Sequence, residues 1–411
     1  MLALGIDLGT AYVRAAVFRE RGGELLQFPD GANSVPAVVA LGGGNTRVGR
    51  SALARATTHP EQAVRGIKRL LGRSHDDPVL QRLAAGAAFR IVDAGNGSVA
   101  LKLGKEQFEP EKVAAALLDH LAEVAAQRTG KRPTKVVLTS PYWYGVRQRD
   151  ALKRAATLAG LSVLQIISEG TATALSLIEA EPDTRNVAIV DVGAGGCSAS
   201  ILEMGKAGVR LLSSGGDPLG GGEDVDHGLV RAVLKGIRDK VGAFPDSPAI
   251  FELVRQVCEA AKRDISDASQ VSAVIPFLPI AGGVFNQQVR IDRRSVEQLM
   301  TDTTLRIGSA CQTALKESGL SKGDLAAVYA TGGMARLAAV RTCISGVLGE
   351  IASARLDPDG SVALGAAYQA GMLLGAVDSI PVIDVQTTLS VPPAAPGKAE
   401  SLPPAPVHSM P

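Results

Sequence analysis

Apolar positions follow two different periods along this chain, and they predict an alternation of strands and helices. Residues 187–190 are an unbroken apolar run, whereas residues 197–201 alternate between apolar side chains and serine. A short unbroken run predicts a buried strand, and strict alternation predicts a half-buried one. Because residues 193–196 are mostly glycine, the two strands should form a hairpin with Asp191 near its tip.

The same plan occurs near the N-terminus. The stretch "LALGIDLGTAYVRAAVF", residues 2–18, has an apolar strand that ends in Ile-Asp-Leu-Gly, and an alternating strand follows it. Asp7 corresponds to Asp191, and Gly9 corresponds to Gly193. Two copies of one hairpin, far apart in sequence, predict two related lobes that face each other. The alternative is a chance likeness between two Asp-x-Gly turns.

The remaining periodicities predict an α/β chain. Helical spacing of apolar residues predicts helices over residues 111–128, 146–158, 224–238, 251–265 and 294–316. Strands are predicted over residues 135–138, 272–278, 283–291 and 327–330, the middle two as a pair. Strands that alternate with helices indicate an α/β fold, and a length of 411 residues favours more than one lobe.

Composition and charge narrow the class of protein. With 46% hydrophobic and 20% charged residues, the chain should be globular, and a net charge of +2 gives no reason to expect nucleic acid or an acidic membrane as partner. Four cysteines without a CxxC pair, and a start without a basic signal-like region, indicate free thiols in the cytoplasm. The uncharged residues 361–377 predict a buried helix, not a membrane span.

The two hairpin tips are the strongest candidates for chemistry. Backbone N–H groups of a glycine turn can wrap a phosphate, and an aspartate at a strand end suits a hydrated magnesium ion. Asp7 and Asp191 could instead cap their turns, which is an ordinary role for aspartate. No GxxxxGK[ST] sequence occurs, and a strand follows Gly195 where a dinucleotide-binding fold requires a helix.

Four further stretches each have a ligand-binding and a structural interpretation. The basic residues of 65–73 have helical spacing, which is typical of a solvated face but would also let one lysine reach a phosphate. The polar residues of 259–266 form one helical stripe, either exposed or at the edge of a nucleoside site. Residues 331–336, "TGGMAR", are an ordinary turn or a place of close ligand approach. The acidic residues of 223–227 indicate a helix start more than a metal site.

Several stretches, in this order, resemble the ATPase domain of the seventy-kilodalton heat-shock (DnaK-type) chaperones, within the actin-like ATPase superfamily. They are "GIDLGTAYV", "IKRLLGR", "VVLTSPYWYGVRQRDALKRAATLAGLSVLQIISEGTATALS", "AIVDVGAGG", "GDPLGGGEDVD", "CEAAKRDIS", "ATGGMARLAAV" and "DPDGSVALGAAYQAG". The resemblance implies an actin-like α/β fold with two lobes, each split into two subdomains, around a nucleotide cleft. Lobe I would cover residues 1–182 and lobe II residues 183–377, with C-terminal helices that return to lobe I.

The resemblance also implies individual roles, with ATP or ADP and Mg²⁺ as ligands. Lys68, Glu169, Asp191 and Asp7 would be catalytic, and the two aspartates would hold the metal through water. The residues implied to hold the nucleotide are Gly9, Thr10, Ala11, Tyr12, Lys68, Gly193, Ala194, Gly195, Gly196, Gly221, Gly222, Glu259, Lys262, Arg263, Ser266, Gly332, Gly333, Met334, Ala335, Arg336 and Asp359.

The sequence departs from the family mainly at the second hairpin. Gly196 replaces the usual threonine and Ser198 replaces a second aspartate, which removes oxygen ligands for phosphate and cations. Ala11 replaces a threonine of the first hairpin. Gly170 replaces a proline, and Met334 replaces a serine beside the adenine.

The C-terminal stretch completes the resemblance. Residues 378–391 resemble the family's interdomain linker, residues 392–411 are a Pro-rich tail expected to be disordered, and no peptide-binding β-domain is recognised. The expected function is a slow ATPase of the chaperone type, linked to protein folding or quality control. The family's partners are J-domain proteins and nucleotide-exchange factors. The alternatives are a switch or scaffold that binds ATP without turnover, a small-molecule kinase of the superfamily, and an actin-like filament protein.

Overall fold

A computed structural model describes residues 2–19, 22–84, 86–95, 97–183, 185–242, 244–280, 283–352 and 356–384. The strands are β1 (Ala3–Leu8), β2 (Tyr12–Arg19), β3 (Gly22–Leu25), β4 (Val35–Pro36), β5 (Val38–Gly42), β6 (Asn45–Val48), β7 (Ala63–Arg65), β8 (Arg90–Asp93), β9 (Val99–Leu103), β10 (Glu106–Phe108), β11 (Lys135–Ser140), β12 (Ser162–Ser168), β13 (Arg185–Val192), β14 (Cys197–Gly205), β15 (Gly208–Asp217), β16 (Gln270–Ile280), β17 (Gly283–Asp292), β18 (Ala327–Thr331) and β19 (Val382–Ile383).

The helices lie between these strands, as the α/β pattern predicts. They are α1 (Arg50–Ala56), α2 (Pro78–Ala84), α3 (Pro110–Thr129), α4 (Val146–Leu158), α5 (Glu169–Leu177), α6 (Gly222–Val241), α7 (Pro248–Asp264), α8 (Arg293–Leu299), α9 (Thr301–Ser318), α10 (Ala338–Leu348) and α11 (Ser361–Leu373). Short 3-10 turns cover Pro60–Gln62, Ile67–Arg69, Lys322–Asp324 and Gly333–Arg336.

The first large sheet has the strand order β12-β11-β1-β2-β3, with β4 also paired to β2. β1 is parallel to β11 and antiparallel to β2. Its residues Leu4 and Ile6 are fully buried and belong to one apolar cluster with Leu117 and Leu121 of α3. The apolar run of β1 therefore anchors the hairpin tip that follows it.

The second large sheet repeats that arrangement, with the strand order β18-β13-β14-β15-β19. β13 is antiparallel to β14 and parallel to β18, as β1 is to β2 and β11. The predicted internal repeat is therefore confirmed in the strand pairing. Smaller sheets, β6-β5-β7, β10-β9-β8 and β16-β17, flank the two large ones along the chain.

The helices α5 and α11 join the two large sheets. A Cβ built on Gly365 of α11 would lie 1.6 Å from the carbonyl oxygen of Ala172 in α5. One built on Gly5 of β1 would lie 2.0 Å from the backbone nitrogen of Ala367. Only glycine permits such an approach between backbones. The apolar cluster around this contact also contains Ile189 of β13, so the joint is apolar.

β14 is buried on both faces, so the half-buried strand predicted from its alternation is wrong. Ser198 and Ser200 are only 5% and 2% exposed. α5 covers the serine face, where a Cβ on Gly170 would lie 2.4 Å from Ser200 Oγ. α9 covers the opposite face of the sheet, where a Cβ on Gly215 would lie 2.3 Å from the carbonyl oxygen of Ala310. Serine is small enough to be buried, so the alternation of apolar residues with serine did not indicate an exposed face here.

The single helix predicted over residues 294–316 is also wrong, because it is interrupted at Met300. The N–H of this fully buried residue donates to the carbonyl oxygen of Glu297 at 3.1 Å, which closes α8 with a tight turn. The hydroxyl of Thr304 donates to the carbonyl oxygen of Met300 at 3.1 Å. Threonine hydroxyls compete with the helical backbone for hydrogen bonds, and three threonines occur at the start of α9.

The C-terminal described residues lie on the second sheet. β19 runs parallel to β15, and Asp384 accepts hydrogen bonds from the Ser168 backbone N–H at 2.5 Å and the Thr171 hydroxyl at 3.1 Å. The rest of the linker-like stretch, residues 385–391, and the Pro-rich tail, residues 392–411, lie outside the described residues. Within the described part of the chain, none of the helices has the length and hydropathy of a membrane span. The four cysteines are free thiols.

Candidate functional site

The two hairpin tips face each other across a cleft of about 180 Å³. A Cβ built on Gly195 of the second tip would lie 2.3 Å from Thr10 Oγ1 of the first, so the tips nearly touch. A Cβ on Gly9 would lie 2.2 Å from the carbonyl oxygen of Tyr12, which shows how tight the first turn is. Glycine at these positions brings backbone amides close to any ligand between the tips.

Most residues that the resemblance assigns to the nucleotide line this cleft. They are Asp7, Gly9, Thr10, Ala11, Tyr12, Lys68, Glu169, Asp191, Gly193, Ala194, Gly195, Gly196, Gly222, Glu259, Lys262, Arg263, Ser266, Gly332, Gly333, Met334, Arg336 and Asp359. Gly221 and Ala335 are not in its lining. Gly221 lies behind the second tip, where an added Cβ would be 2.2 Å from the carbonyl oxygen of Ala194. Ala335 is 2% exposed and belongs to an apolar core.

An acidic centre lies between the tips. Lys68 forms a buried ion pair with Glu169, and the charges of Asp7 and Asp191 interact with both. Burial raises the pKa of Asp191 well above its ordinary range, and the neighbouring Glu169 and Asp7 add to this effect. Burial likewise raises the pKa of Asp7, against the opposing charge of Lys68. Burial alone would lower the pKa of Lys68, but Glu169 and Asp7 keep it above its ordinary value. More carboxylates than cations thus meet at this point, which favours a bound cation.

The segment that carries Lys68 is a strand and a 3-10 turn, so the helical basic face predicted for residues 65–73 is wrong. Gly66, with φ of 61°, ends β7 and redirects the chain into the turn. Lys68 and Arg69 are only 9% and 8% exposed. The hydroxyl of Tyr144 donates to the carbonyl oxygen of Lys68 and fixes the turn. The lysine is therefore aimed into the cleft from a rigid backbone.

The second tip is built from backbone alone. The N–H of Gly193 donates to the carbonyl oxygen of Gly196 at 3.1 Å, and the N–H of Gly222 donates to that of Gly193 at 3.0 Å. Among the described residues, the N–H groups of Gly195 and Gly196 have no backbone acceptor. A Cβ on Gly196 would lie 2.4 Å from the carbonyl oxygen of Asp217, so the threonine usual in the family does not fit this turn without a backbone shift.

The polar stripe of α7 lies at the other end of the cleft. Arg263 donates to the Tyr12 hydroxyl at 3.1 Å, and its guanidinium lies 5.3 Å from the centre of the Tyr12 ring. Lys262 is 7% exposed, pairs with Asp226 at 2.8 Å and donates to the carbonyl oxygen of Gly222 at 2.9 Å. Within the stripe Lys262 is buried and supports the loop behind the second tip, Glu259 and Ser266 are half-buried, and Arg263 is exposed.

Two arginines of the basic stretch 65–73, for which the sequence predicted a solvated face, bridge the cleft. Arg65 pairs with Glu252 of α7 at 3.3 Å, and Arg69 pairs with Glu223 of α6 at 3.0 Å. Both join residues of the first half to helices of the second. Because this segment is not a helix, the partners of Arg65 and Arg69 could not be inferred from its helical spacing.

Arg14 was missed for a different reason. It lies in the cleft lining and is the cross-strand partner of Asp7 in the β1–β2 hairpin. It pairs with Asp359 at 3.1 Å, and Asp359 also pairs with Arg336. The register of the hairpin, which follows from its predicted turn, was the signal that could have found it.

The model of the Hsp70 protein family matches residues 3–398 of this chain. This chain belongs to the Hsp70 family. Membership identifies the two large sheets and their facing tips as the actin-like ATPase fold of Hsp70, with two lobes around a nucleotide cleft. The Hsp70 domain is a chaperone-type ATPase domain that binds ATP.

The acidic centre fits a hydrated magnesium ion, the cation that Hsp70 domains generally hold with ATP or ADP. Asp7 and Asp191 supply carboxylate oxygens from both tips, and burial makes an uncompensated charge there costly. Within the described parts of the chain, no three His, Cys, Asp or Glu side chains could hold a metal ion together. Magnesium commonly keeps several waters, so few direct protein ligands are needed.

Proposed function

We propose that this Hsp70-family chain binds Mg-ATP between the two hairpin tips and hydrolyses it slowly. The observation that carries the proposal is the pair of facing glycine tips around buried Lys68 and Glu169 and half-buried Asp7 and Asp191. Phosphoryl transfer requires mainly positioning and neutralisation of charge. Backbone amides, one lysine and a metal ion together supply both.

The proposed phosphate grip has two sides. On lobe I, Gly9 to Tyr12 wrap the phosphates with their backbone, and Thr10 adds a hydroxyl. On lobe II, the N–H groups of Gly195 and Gly196 point at the ligand, and Gly193 and Ala194 shape the turn. Asp7 and Asp191 hold Mg²⁺ through its water, where the ion neutralises the charge of the phosphates.

Lys68 and Glu169 perform the proposed chemistry. Lys68 contacts the terminal phosphate and stabilises charge that develops there, while Glu169 orients the attacking water and holds the lysine through their ion pair. Removing one such electrostatic group typically costs about 3–4 kcal/mol of transition-state stabilisation. Ser198 offers a hydroxyl where a carboxylate is usual, so we expect slow turnover.

The nucleoside occupies the other end of the cleft in this proposal. Arg263 and Arg336 flank the base, since a planar guanidinium stacks on an aromatic ring. Glu259, Lys262 and Ser266 of the α7 stripe form one wall of this pocket. Gly332, Gly333, Met334 and Asp359 form the other, and Gly221, Gly222 and Ala335 support these walls from behind.

The same proposal assigns the lobes and the partners. Lobe I covers residues 1–182, and lobe II covers residues 183–377 with C-terminal helices that pack on lobe I. J-domain proteins and nucleotide-exchange factors, which are typical Hsp70 partners, would act on this domain in protein folding or quality control. Their contact surfaces are not assigned.

Isothermal titration calorimetry with ATP and Mg²⁺ tests the binding, and single-turnover assays with labelled ATP test the hydrolysis. We expect saturable heat and slow release of labelled phosphate from the same preparation. The Lys68→Ala variant is the matched control for turnover. Absence of heat over micromolar to millimolar ATP would contradict the proposed binding.

A second candidate is a switch or scaffold that binds ATP without turnover. Gly196 and Ser198 favour it, because the second tip has neither a hydroxyl at 196 nor a carboxylate at 198. The two candidates share their binding site and differ only in the chemical step. Saturable binding with no phosphate release over hours in the single-turnover assay would select the switch.

A further inference from the structure

Arg14 lines the cleft beside the acidic centre, and the functions described so far give it no role. It faces Asp7 across the β1–β2 hairpin, and its side chain is 16% exposed. Its Nη2 donates to Asp359 at 3.1 Å. Its charge also reaches Asp7 and Asp191, where it opposes the larger effect of burial on their pKa values. Arg14 is thus placed among three carboxylates.

The fold itself does not require a cation at this position. The second hairpin has the same strand pairing, and there Ser198 occupies the place of Arg14, opposite Asp191. Nor does Asp359 require Arg14, because Arg336 also pairs with it. Removing an arginine from water is costly unless its charge is used.

Most of the hydrogen-bonding capacity of Arg14 is unused. A guanidinium has five N–H donors, and among the described residues Asp359 alone accepts a hydrogen bond from this one. Because Arg14 lines the cleft, its remaining donors can reach a ligand there. Guanidinium groups bind phosphate oxygens with two parallel hydrogen bonds, more specifically than lysine does.

The neighbours of Arg14 define its position along the cleft. Asp7 belongs to the centre of Lys68 and Glu169, at the proposed metal and γ-phosphate end. Asp359 with Arg336 belongs to the proposed nucleoside end. Arg14 faces the first group and contacts the second, so it lies between them. In a nucleoside triphosphate, the phosphate next to the nucleoside end is the α-phosphate.

We infer that Arg14 is a ligand of the α-phosphate, held ready for it by Asp359. This inference rests on the proposed binding of nucleotide in the cleft. Arg14 binds the nucleotide and does not contact the bond that is broken in hydrolysis. It therefore adds the same affinity for every adenine nucleotide with an α-phosphate, whether or not further phosphates follow. It adds none for adenosine, and it acts without a metal ion.

The test is to measure the affinities of adenosine, AMP, ADP and ATP for the full chain and for Arg14→Gln. Adenosine and AMP are titrated in EDTA, and ADP and ATP with Mg²⁺. We expect Arg14→Gln to weaken AMP, ADP and ATP by one common factor of roughly 10- to 100-fold, the typical effect of a charge-assisted hydrogen bond. Adenosine affinity should stay within about twofold, the ordinary scatter of a substitution that removes no contact.

Three further variants locate the effect. Arg336→Gln removes the other arginine on Asp359 and should weaken all four ligands, including adenosine. Lys68→Gln should weaken ATP more than ADP and leave AMP unchanged. Arg14→Lys keeps the charge without the planar fork, so its AMP affinity should lie between those of the parent and Arg14→Gln. It also serves if Arg14→Gln folds poorly, as judged by its thermal unfolding.

Three outcomes would overturn the inference. Equal affinities in the parent and Arg14→Gln would show that the arginine does not touch the nucleotide. Equal losses for adenosine and AMP would place its action on the nucleoside, through Asp359. A loss confined to ATP would place it at the metal end. If the parent binds none of the four ligands, it is the proposed function that fails.

Discussion

The two hairpins share one backbone plan and differ in what they place beside their aspartates. In the first, Arg14 stands opposite Asp7, and in the second Ser198 stands opposite Asp191. The first tip carries the hydroxyl of Thr10, whereas the second is almost entirely glycine. The comparison indicates that the first hairpin supplies charge and side-chain contacts at its tip, whereas the tip of the second supplies mainly a close-fitting backbone.

Glycine is required at the second tip because neighbouring atoms leave no room for a side chain, and not only because its backbone is flexible. Gly195 leaves room for Thr10 of the opposite tip, and Gly196 leaves room for the backbone of Asp217. A side chain at either position would push the tips apart or distort the loop. Gly195 therefore determines how closely the two tips meet, and Gly196 how closely the second tip packs on the loop after β15.

The largest expected effect concerns the charged side of this comparison. Lys68→Ala removes the cation that we propose faces the terminal phosphate, and we expect the single-turnover rate to fall roughly 10²- to 10³-fold. ATP affinity should change much less than the rate. Lys235→Ala, on an exposed ion pair of α6, is the control and should leave the rate unchanged. A rate equal to that of the parent would remove Lys68 from the chemistry.

The next effect tests the fit between the tips. Gly195→Ala places a methyl group 2.3 Å from Thr10 Oγ1, and we expect ATP affinity to fall on the order of tenfold. Thr10→Gly relieves the contact, so the double variant should lose less affinity than the two single losses combined. Strictly additive losses, measured by calorimetry, would mean that the tips do not meet as described.

An effect of similar size, on stability and not on affinity, concerns the missing carboxylate. Ser198→Asp adds a fourth acidic group to the buried centre, where like charges disfavour one another. We expect about 1–2 kcal/mol lower stability to unfolding without Mg²⁺, most of it regained with Mg-ATP. Ser198→Ala, which adds no charge, should be within about 1 kcal/mol of the parent in both conditions. If Mg-ATP does not change the stability of Ser198→Asp to unfolding, residue 198 does not take part in the metal site.

The sequence predicted the parts of the site that repeat or that lie on regular elements. Both hairpins, their aspartates and the α7 stripe could be found from apolar periods and turn glycines. The sequence singled out Lys68 but did not predict its burial. The spacing of basic residues predicted a helix, whereas Gly66 leads the chain into a 3-10 turn. Arg14 was missed because an alternating pattern describes one strand at a time. The position of Arg14 beside Asp7 depends on how the two strands of the hairpin pair.

The break at Met300 was missed because apolar spacing does not register the threonines that compete for backbone hydrogen bonds at the start of α9. The burial of β14 was missed because it depends on packing between distant segments, which no local pattern contains. Ser200 is buried because Gly170 of α5 approaches it, and that contact joins residues 30 positions apart. The repeated hairpin already predicted that the two tips face each other, and the resemblance to heat-shock chaperones added the individual side chains expected between them.

The two connections between the lobes have opposite chemistry, and warming should affect them differently. Near α5 and α11 the joint is apolar, whereas at the rim of the cleft it consists of ion pairs, such as Arg65 with Glu252. The cost of dehydrating charged groups falls as temperature rises, while the stabilisation from apolar burial levels off. As temperature rises, the ion pairs at the rim should therefore contribute relatively more to the contact between the lobes than the apolar joint does.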